Sequence, residues 1–380
     1  MKKYLSAILI VLMSAMLVCG ASGDARAEDF TPGYSYILLE AETLSVLEEH
    51  NAEKTVNAGY LSKLMALLLI AEDIETGKYS LETELTAPQS VYGTKGAVIW
   101  LEPGDKLTVE ELVKGVIIGN ANDALTVLAE RSEGSVESFT ARMNSEAFDM
   151  GLRNTAFYSP HGYYDEREHT TAHDMAVICA SLAEYGFLEP YFRTWRDFIK
   201  EGQTELVSEN TLARTYDRHI GFKASHSEKS GYCIAEGGRS EDGTTYIAVV
   251  LSAPDEEASF AKAKELLKKG FSGYKVTTPG FLDEFLRPLR VKNGRENAVE
   301  LELETQNTIV IPVGAVELSQ RIVIPEYINA PVKKGERIGT AGFYNGDTLV
   351  YETAIVTKND VKKISLGYIF KELLLNLIEK

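Results

Sequence analysis

The stretch LSKLMALLLIAEDIET, residues 61–76, carries apolar side chains round the helical circle instead of along one stripe. A helix of that kind has no face to give to water, so it belongs inside a layered domain with other elements packed around it. A chain of 380 residues, 44% hydrophobic and 25% charged, has enough material to enclose it and to form two or three domains. Lysine and arginine number 39 against 56 aspartates and glutamates, a formal net charge of −17. That field repels polyanions, so no nucleic-acid partner is expected.

Two strands are expected ahead of the helix, over 35–39 and 45–49, around Glu40-Ala41-Glu42-Thr43. Helices are expected over 107–115, 122–131, 136–150 and 172–185. Gly151 closes the third of these, and Thr170 or Thr171 caps the fourth. From Gly221 the period changes to two, with strands over 231–236 and 246–252. Turn residues Gly237-Gly238 and Asp242-Gly243 lie between them, and a helix over 260–269 follows. Strands, helices, then strands with a closing helix describe an α+β fold for residues 28–276.

Beyond that point the strict alternation of residues 299–304 and the β-branched runs 308–313 and 321–325 predict a small all-β domain, residues 277–361. A C-terminal amphipathic helix is expected over 362–380. Leu366, Ile369, Leu373 and Leu377 share one face, with Ser365, Glu372, Asn376 and Glu379 opposite. Flanked by Lys362, Lys363, Lys371 and Lys380, it suits a membrane surface; docking on its own β domain is the alternative. At the other end, Lys2 and Lys3, the apolar run 5–18 and Ala25-Arg26-Ala27 have the form of a cleavable signal peptide, residues 1–27. The expected protein is exported and extracytoplasmic, peripheral on the outer face of the cytoplasmic membrane. Cys179 and Cys233 sit in apolar runs and read as buried small hydrophobes rather than a disulfide.

Common catalytic signatures are missing: no phosphate loop, no dinucleotide glycine pattern, no His-Glu-x-x-His and no Gly-x-Ser-x-Gly. His169 and His173 are spaced like paired metal ligands, but no third ligand lies nearby in sequence, which favours capping or packing. No metal and no cofactor is expected.

The segment Ala58-Gly59-Tyr60-Leu61-Ser62-Lys63 resembles the start of the active-site helix in penicillin-binding D-alanyl-D-alanine carboxypeptidases. The same family is matched at Leu101-Glu102-Pro103-Gly104-Asp105, at Asn122-Asp123-Ala124, at Pro160-His161-Gly162 and at Thr170-Thr171-Ala172-x-Asp174-Met175-Ala176. Pro331-Val332-Lys333-Lys334-Gly335 resembles the β domain that follows in these enzymes. The resemblance implies a penicillin-binding/β-lactamase-like transpeptidase domain and a peptidoglycan stem peptide, or a wall-associated protein, as partner.

It also implies where chemistry belongs, and there the match breaks. The family performs acyl transfer with Ser-x-x-Lys, Ser-x-Asn and Lys-Thr-Gly. Here Lys63 is preceded by Tyr60 at the nucleophile position. Asn120 stands at the second-motif serine position and Asn122 at its asparagine. The substrate-binding triplet is Lys223-Ala224-Ser225. A phenol ordinarily titrates near ~10 and reaches farther than a serine hydroxyl, into the space an acyl group needs. Ser62 lies ~200° round a helix from Tyr60, pointing into the core, so a shift of register does not restore the motif. Ser259 to Lys262 and Ser272 to Lys275 repeat the Ser-x-x-Lys spacing far from this constellation and read as chance. Losing a catalytic serine typically costs about a million-fold in turnover. Two functions follow: an inactive binding module with this fold, or an active serine-type D-Ala-D-Ala carboxypeptidase working with rearranged residues. A β-lactamase fits less well, because it needs the same serine and a deacylating base.

Overall fold

The structure, a computed structural model, describes residues 34–57, 59–163, 165–278, 286–305, 307–314 and 318–371. The expected signal peptide and residues 372–380 of the expected C-terminal helix lie outside the described residues.

Strands β1 (Ser35–Glu40) and β2 (Val46–His50) form an antiparallel hairpin. Its turn is held by Glu40, whose carboxylate accepts from the main-chain N–H of Glu42 (3.1 Å) and of Thr43 (2.8 Å). Helix α1 (Lys63–Glu75) is buried from Lys63 to Ala71, as its all-round apolar surface requires. Strands β3 (Glu84–Thr86) and β4 (Lys106–Thr108) pair antiparallel ahead of α2 (Val109–Ile117). The helix expected from residue 107 therefore starts later. Thr108 ends the strand and caps the helix, its Oγ1 accepting from the Glu111 N–H at 3.2 Å while Glu111 accepts from the Thr108 N–H at 3.1 Å.

Helices α3 (Asn122–Glu133), α4 (Val136–Asp149) and α5 (Ala172–Ala183) follow, with Thr171 as the cap of α5. Short helix α6 (Glu189–Phe192), hairpin β5 (Arg196–Ile199) with β6 (Thr204–Val207), and α7 (Leu212–Thr215) lead into β7 (His219–Ser227), β8 (Gly231–Arg239) and β9 (Thr245–Ala253). Helix α8 (Glu256–Gly273) closes this region.

The strands form one antiparallel sheet in the order β2-β1-β9-β8-β7. Period-two alternation sorts its side chains between two cores. Ile37, Leu39, Ile247 and Val249 join the cluster containing α1 and α5, whereas Leu38, Ala248 and Val250 join Leu266 and Leu267 of α8. The sheet is thus buried on both faces, and α1 stands in the thicker layer. Gly237 and Gly238, expected in a turn, lie inside β8 instead. They are glycines because a Cβ would stand 2.8 Å from Ile220 at the first position and 2.8 Å from Phe271 at the second. The turn itself spans residues 240–244, where Asp242 accepts from the Thr244 N–H at 3.1 Å.

After α8 the chain is β-rich: β10 (Tyr274–Thr277), β11 (Leu289–Lys292), β12 (Ala298–Val299), β13 (Leu301–Leu303), β14 (Ile309–Pro312), β15 (Ser319–Val323), β16 (Tyr327–Asn329), β17 (Arg337–Asn345) and β18 (Thr348–Thr357). β10 pairs with β14; the rest form sheets β12-β11-β16 and β13-β18-β17-β15 around a separate core that includes Val291, Leu301 and Ile355. Residues 366–371 are helical, with Leu366 and Phe370 exposed. Among the described residues no helix is long and apolar enough to cross a membrane.

Candidate active-site cleft

The cleft lies where the start of α1, the α2–α3 junction and strand β7 meet. Residues Gly59–Ser62 form a 3-10 turn, so Tyr60 and Ser62 precede the α-helix proper, which begins at Lys63. The turn is pressed from outside by Gly162, where a Cβ would stand 2.3 Å from the Gly59 carbonyl oxygen. Ser62 points away from the cleft, as expected. It is buried and donates to the Glu168 carboxylate at 2.6 Å.

Lys63 is fully buried, and its Nζ donates to both the main-chain oxygen and Oδ1 of Asn120 at 2.7 Å each. It meets Tyr60 over the ring, 4.7 Å from the centroid. Burial, and then the charge of Lys223, push its ammonium well below the usual lysine range, with Glu209 pulling the other way. Asn120 accepts this lysine from the left-handed region, φ +55°, a conformation asparagine tolerates better than most residues. A carboxamide in that place cannot pass a proton as a hydroxyl can.

Asn122, the first residue of α3, is fully buried; its Nδ2 donates to the Lys95 carbonyl at 2.7 Å and lies 3.3 Å from the Tyr163 hydroxyl. Its Oδ1 has no hydrogen-bond partner among the described residues. Nearby, His161 is sandwiched between Thr126 (2.9 Å) and Ser159 (3.0 Å). Burial, then the charge of Lys63, lowers it to about 4, so the ring is neutral at ordinary pH.

Lys223 faces the end of α2 and donates to the carbonyls of Val116 (3.0 Å) and Ile117 (3.1 Å), where unpaired helix oxygens concentrate negative potential. Burial lowers it to about 8, against the opposing attraction of Glu209. Ser225, two residues along the same strand, accepts the main-chain N–H of Tyr60 at 3.0 Å. Ala224 turns to the other face of the sheet and packs against the α8-side core. Of the sequence-derived site residues, Tyr60, Lys63, Asn120, Asn122, Lys223 and Ser225 therefore gather around the cleft, and Ala224 does not.

Glu209 was not legible as a site residue. It stands alone between β6 and α7 with no motif around it, yet its exposed carboxylate acts on both lysines and lies 3.5 Å from Asn120 Nδ2. Its position is fixed by the next residue. Asn210 donates to buried Glu236 at 2.7 Å, and Glu236 in turn accepts from His219 Nδ1. His219 Nε2 donates to the Phe192 carbonyl at 3.0 Å; burial works to lower the imidazole's pKa, but the charge and hydrogen bond of Glu236 outweigh it and raise it above its usual range. Cys179 and Cys233 are buried and free. His169 Nδ1 donates to the Arg167 carbonyl at 2.6 Å, while His173 stands 3.6 Å from both Glu53 and Asp174. The two rings thus serve different local partners, and among the described residues no His, Cys, Asp and Glu group could hold a metal ion.

A sequence profile described as D-alanyl-D-alanine carboxypeptidase matches residues 24–255, and one for the C-terminal domain of penicillin-binding protein 5 matches residues 275–363. D-alanyl-D-alanine carboxypeptidase DacF of Bacillus subtilis is 28% identical over 372 residues, covering 96% of this chain and 95% of its own. D-alanyl-D-alanine carboxypeptidase DacC of Escherichia coli is 30% identical over 353 residues, covering 89% and 84%. Among solved structures, penicillin-binding protein 5 of Haemophilus influenzae gives a TM-score of 0.79 over 89% of this chain and 100% of that one, at 24% identity, a likeness of fold. Motif remnants, layer order and matches along nearly the whole length agree: the chain belongs to the D-alanyl-D-alanine carboxypeptidase family.

Proposed function

We propose that this chain is an exported, wall-associated member of its family that binds a peptidoglycan stem peptide or a wall protein without cleaving it. The observation that carries this reading is the state of the acyl-transfer parts. Tyr60 supplies no serine hydroxyl, and Lys63 is engaged by Asn120. The Tyr60 N–H, a donor that could polarise a reacting carbonyl, is already taken by Ser225 Oγ at 3.0 Å. Each part would have to be released before a tetrahedral intermediate could be stabilised. Restoring the serine alone leaves the other two obstacles in place.

The test is acylation. Full-length protein incubated with fluorescent penicillin and run on a denaturing gel is expected to show no covalent band, and Tyr60→Ser is expected to show none either. A band from the natural chain favours the second reading, an active carboxypeptidase that removes the terminal D-alanine of stem peptides. Family membership and the lowered lysine pKa values support that alternative. A band from Tyr60→Ser alone would show that Asn120, Ala224 and Ser225 are compatible with acylation. Residues 1–27 carry the sequence pattern of a signal peptide, which supports export. Exposed Leu366 and Phe370 beside Lys362, Lys363 and Lys371 support attachment of the C-terminal segment to a membrane surface.

A further inference from the structure

The segment between β3 and β4 turns one side chain outward. Ile99 and Leu101 are buried, while Trp100 between them is 80% exposed. Its backbone lies in the left-handed region, φ +56°, which bulky residues rarely adopt. Hydrogen bonds from two sides hold it there. Buried Asp123 accepts the main-chain N–H of Ile99 at 3.0 Å and of Leu101 at 2.9 Å. From the tip of the β5–β6 hairpin, Lys200 Nζ donates to the carbonyls of Ile99 (3.1 Å) and Trp100 (3.2 Å). Strain maintained in this way for a side chain left in solvent points to a use outside the chain.

Other exposed aromatic rings are covered by the chain's own cations. Arg153 lies 4.0 Å from the Phe148 centroid, Arg167 4.1 Å from Tyr158 and Arg196 5.3 Å from Phe198. Among the described residues no cation and no second ring lies over Trp100. Resting on the reading of this chain as wall-associated, we propose that Trp100 is a stacking platform for one sugar ring of an uncharged, N-acetylated aminosugar glycan. The indole face carries the negative side of the ring quadrupole, and the C–H bonds on the flat side of a pyranose are weakly positive, so the two attract. Among the described residues 93–147 Trp100 is the one exposed large hydrophobic. It therefore lacks the contiguous apolar centre of a stable protein interface but matches the face of a single sugar. Exposed Glu102, two residues on, and Glu201, next to Lys200, offer acceptors for hydroxyl groups. With the net charge of −17 they oppose anionic lipid and polyphosphate.

The chain has one other tryptophan, Trp195, so Trp195→Phe leaves the Trp100 emission to be read alone. Titrated with chitohexaose, a β-linked oligomer of N-acetylglucosamine, that full-length variant is expected to show a saturable blue shift as the indole leaves water. By calorimetry on the otherwise natural chain, Trp100→Ala is expected to weaken chitohexaose at least about tenfold and Trp100→Phe about two- to threefold. Phe148→Ala, at a covered ring, is expected to change nothing. Lys200→Met keeps the indole but releases the two carbonyls, and is expected to weaken binding about threefold. Trp100 is exposed, so its variants test recognition rather than folding. An affinity indifferent to Trp100→Ala, no shift up to about 10 mM chitohexaose, or a shift with phosphatidylglycerol vesicles and none with the sugar would each overturn the proposal. Retention on purified wall sacculi that survives Trp100→Ala would overturn the platform and leave the wall-associated reading standing. A natural chain that binds neither sacculi nor chitohexaose would overturn both.

Discussion

The two ends of α1 hold buried charge in opposite ways. At its C-terminal end Asp73 accepts from Arg142 at 2.7 Å, from Ser132 at 2.6 Å and from Tyr79 at 3.2 Å. Arg142 also reaches Glu72 at 2.8 Å and Glu133 at 3.0 Å. Burial alone would raise the Asp73 carboxyl, but these hydrogen bonds and the charges of Arg142 and Lys78 outweigh it and hold the group below its usual range. At the N-terminal end Lys63 has neutral oxygens for partners and a second buried lysine near by, and its proton affinity falls. Opposite charges in mutual contact make a clamp. Like charges tolerated in a buried cleft mark a place shaped by something other than stability.

The sharpest way to break this contrast is to remove the central cation of the clamp. Arg142→Ala breaks the ion pairs to Glu72, Asp73 and Glu133, of which Lys78 also reaches Asp73 and Glu133, and is expected to cost about 2–3 kcal/mol in urea unfolding. The corresponding change at the cleft, Lys63→Met, is expected to move stability by less than about 1 kcal/mol, because lost hydrogen bonds to Asn120 are offset by no longer burying an ammonium. A loss as large as that of Arg142→Ala would erase the distinction between the two ends.

Titration gives the smallest effect. Lys223 should show a carbon-13 midpoint at its Cε near pH 8, as its lowered pKa of about 8 requires. Between pH 8 and the ordinary value of 10.5 the unfolded chain binds a proton here and the folded chain does not, so this group makes stability rise with pH over that window. His219 contributes with the opposite sign. Its raised pKa gives stability that is complete below the unfolded value and lost as pH rises through the folded one.

Much of this was legible from residue order. The all-round apolar character of α1 predicted its central burial, and period-two alternation predicted the sheet. That Tyr60, Lys63, Asn120, Asn122 and Lys223 belong together was implied by the family resemblance of their motifs, and Lys63 and Asn120 are in direct contact. What escaped depends on neighbours distant in sequence. Gly237-Gly238 reads as a turn until Ile220 and Phe271 are known to press on it. Lys106–Thr108 is too short to announce a strand without its partner β3. Ala224 belongs to the triplet by order but to the opposite face by strand alternation, which period two could have indicated. Glu209 carries no local signal, since its role comes from the Asn210–Glu236–His219 chain that fixes its segment beside β7.

On the inert reading proposed above, the bond between the Tyr60 amide and Ser225 Oγ sets an order of events for anyone trying to re-engineer an acyl-transfer enzyme from this protein. A new nucleophile introduced first would be silent, because the strand still occupies the amide that its intermediate requires. Ser225→Gly frees that amide but should do nothing visible by itself, and a serine at position 60 on that background still needs Lys63 released from Asn120 before it acquires a measurable phenotype. The route back to chemistry thus begins with a change that selection for turnover could not see.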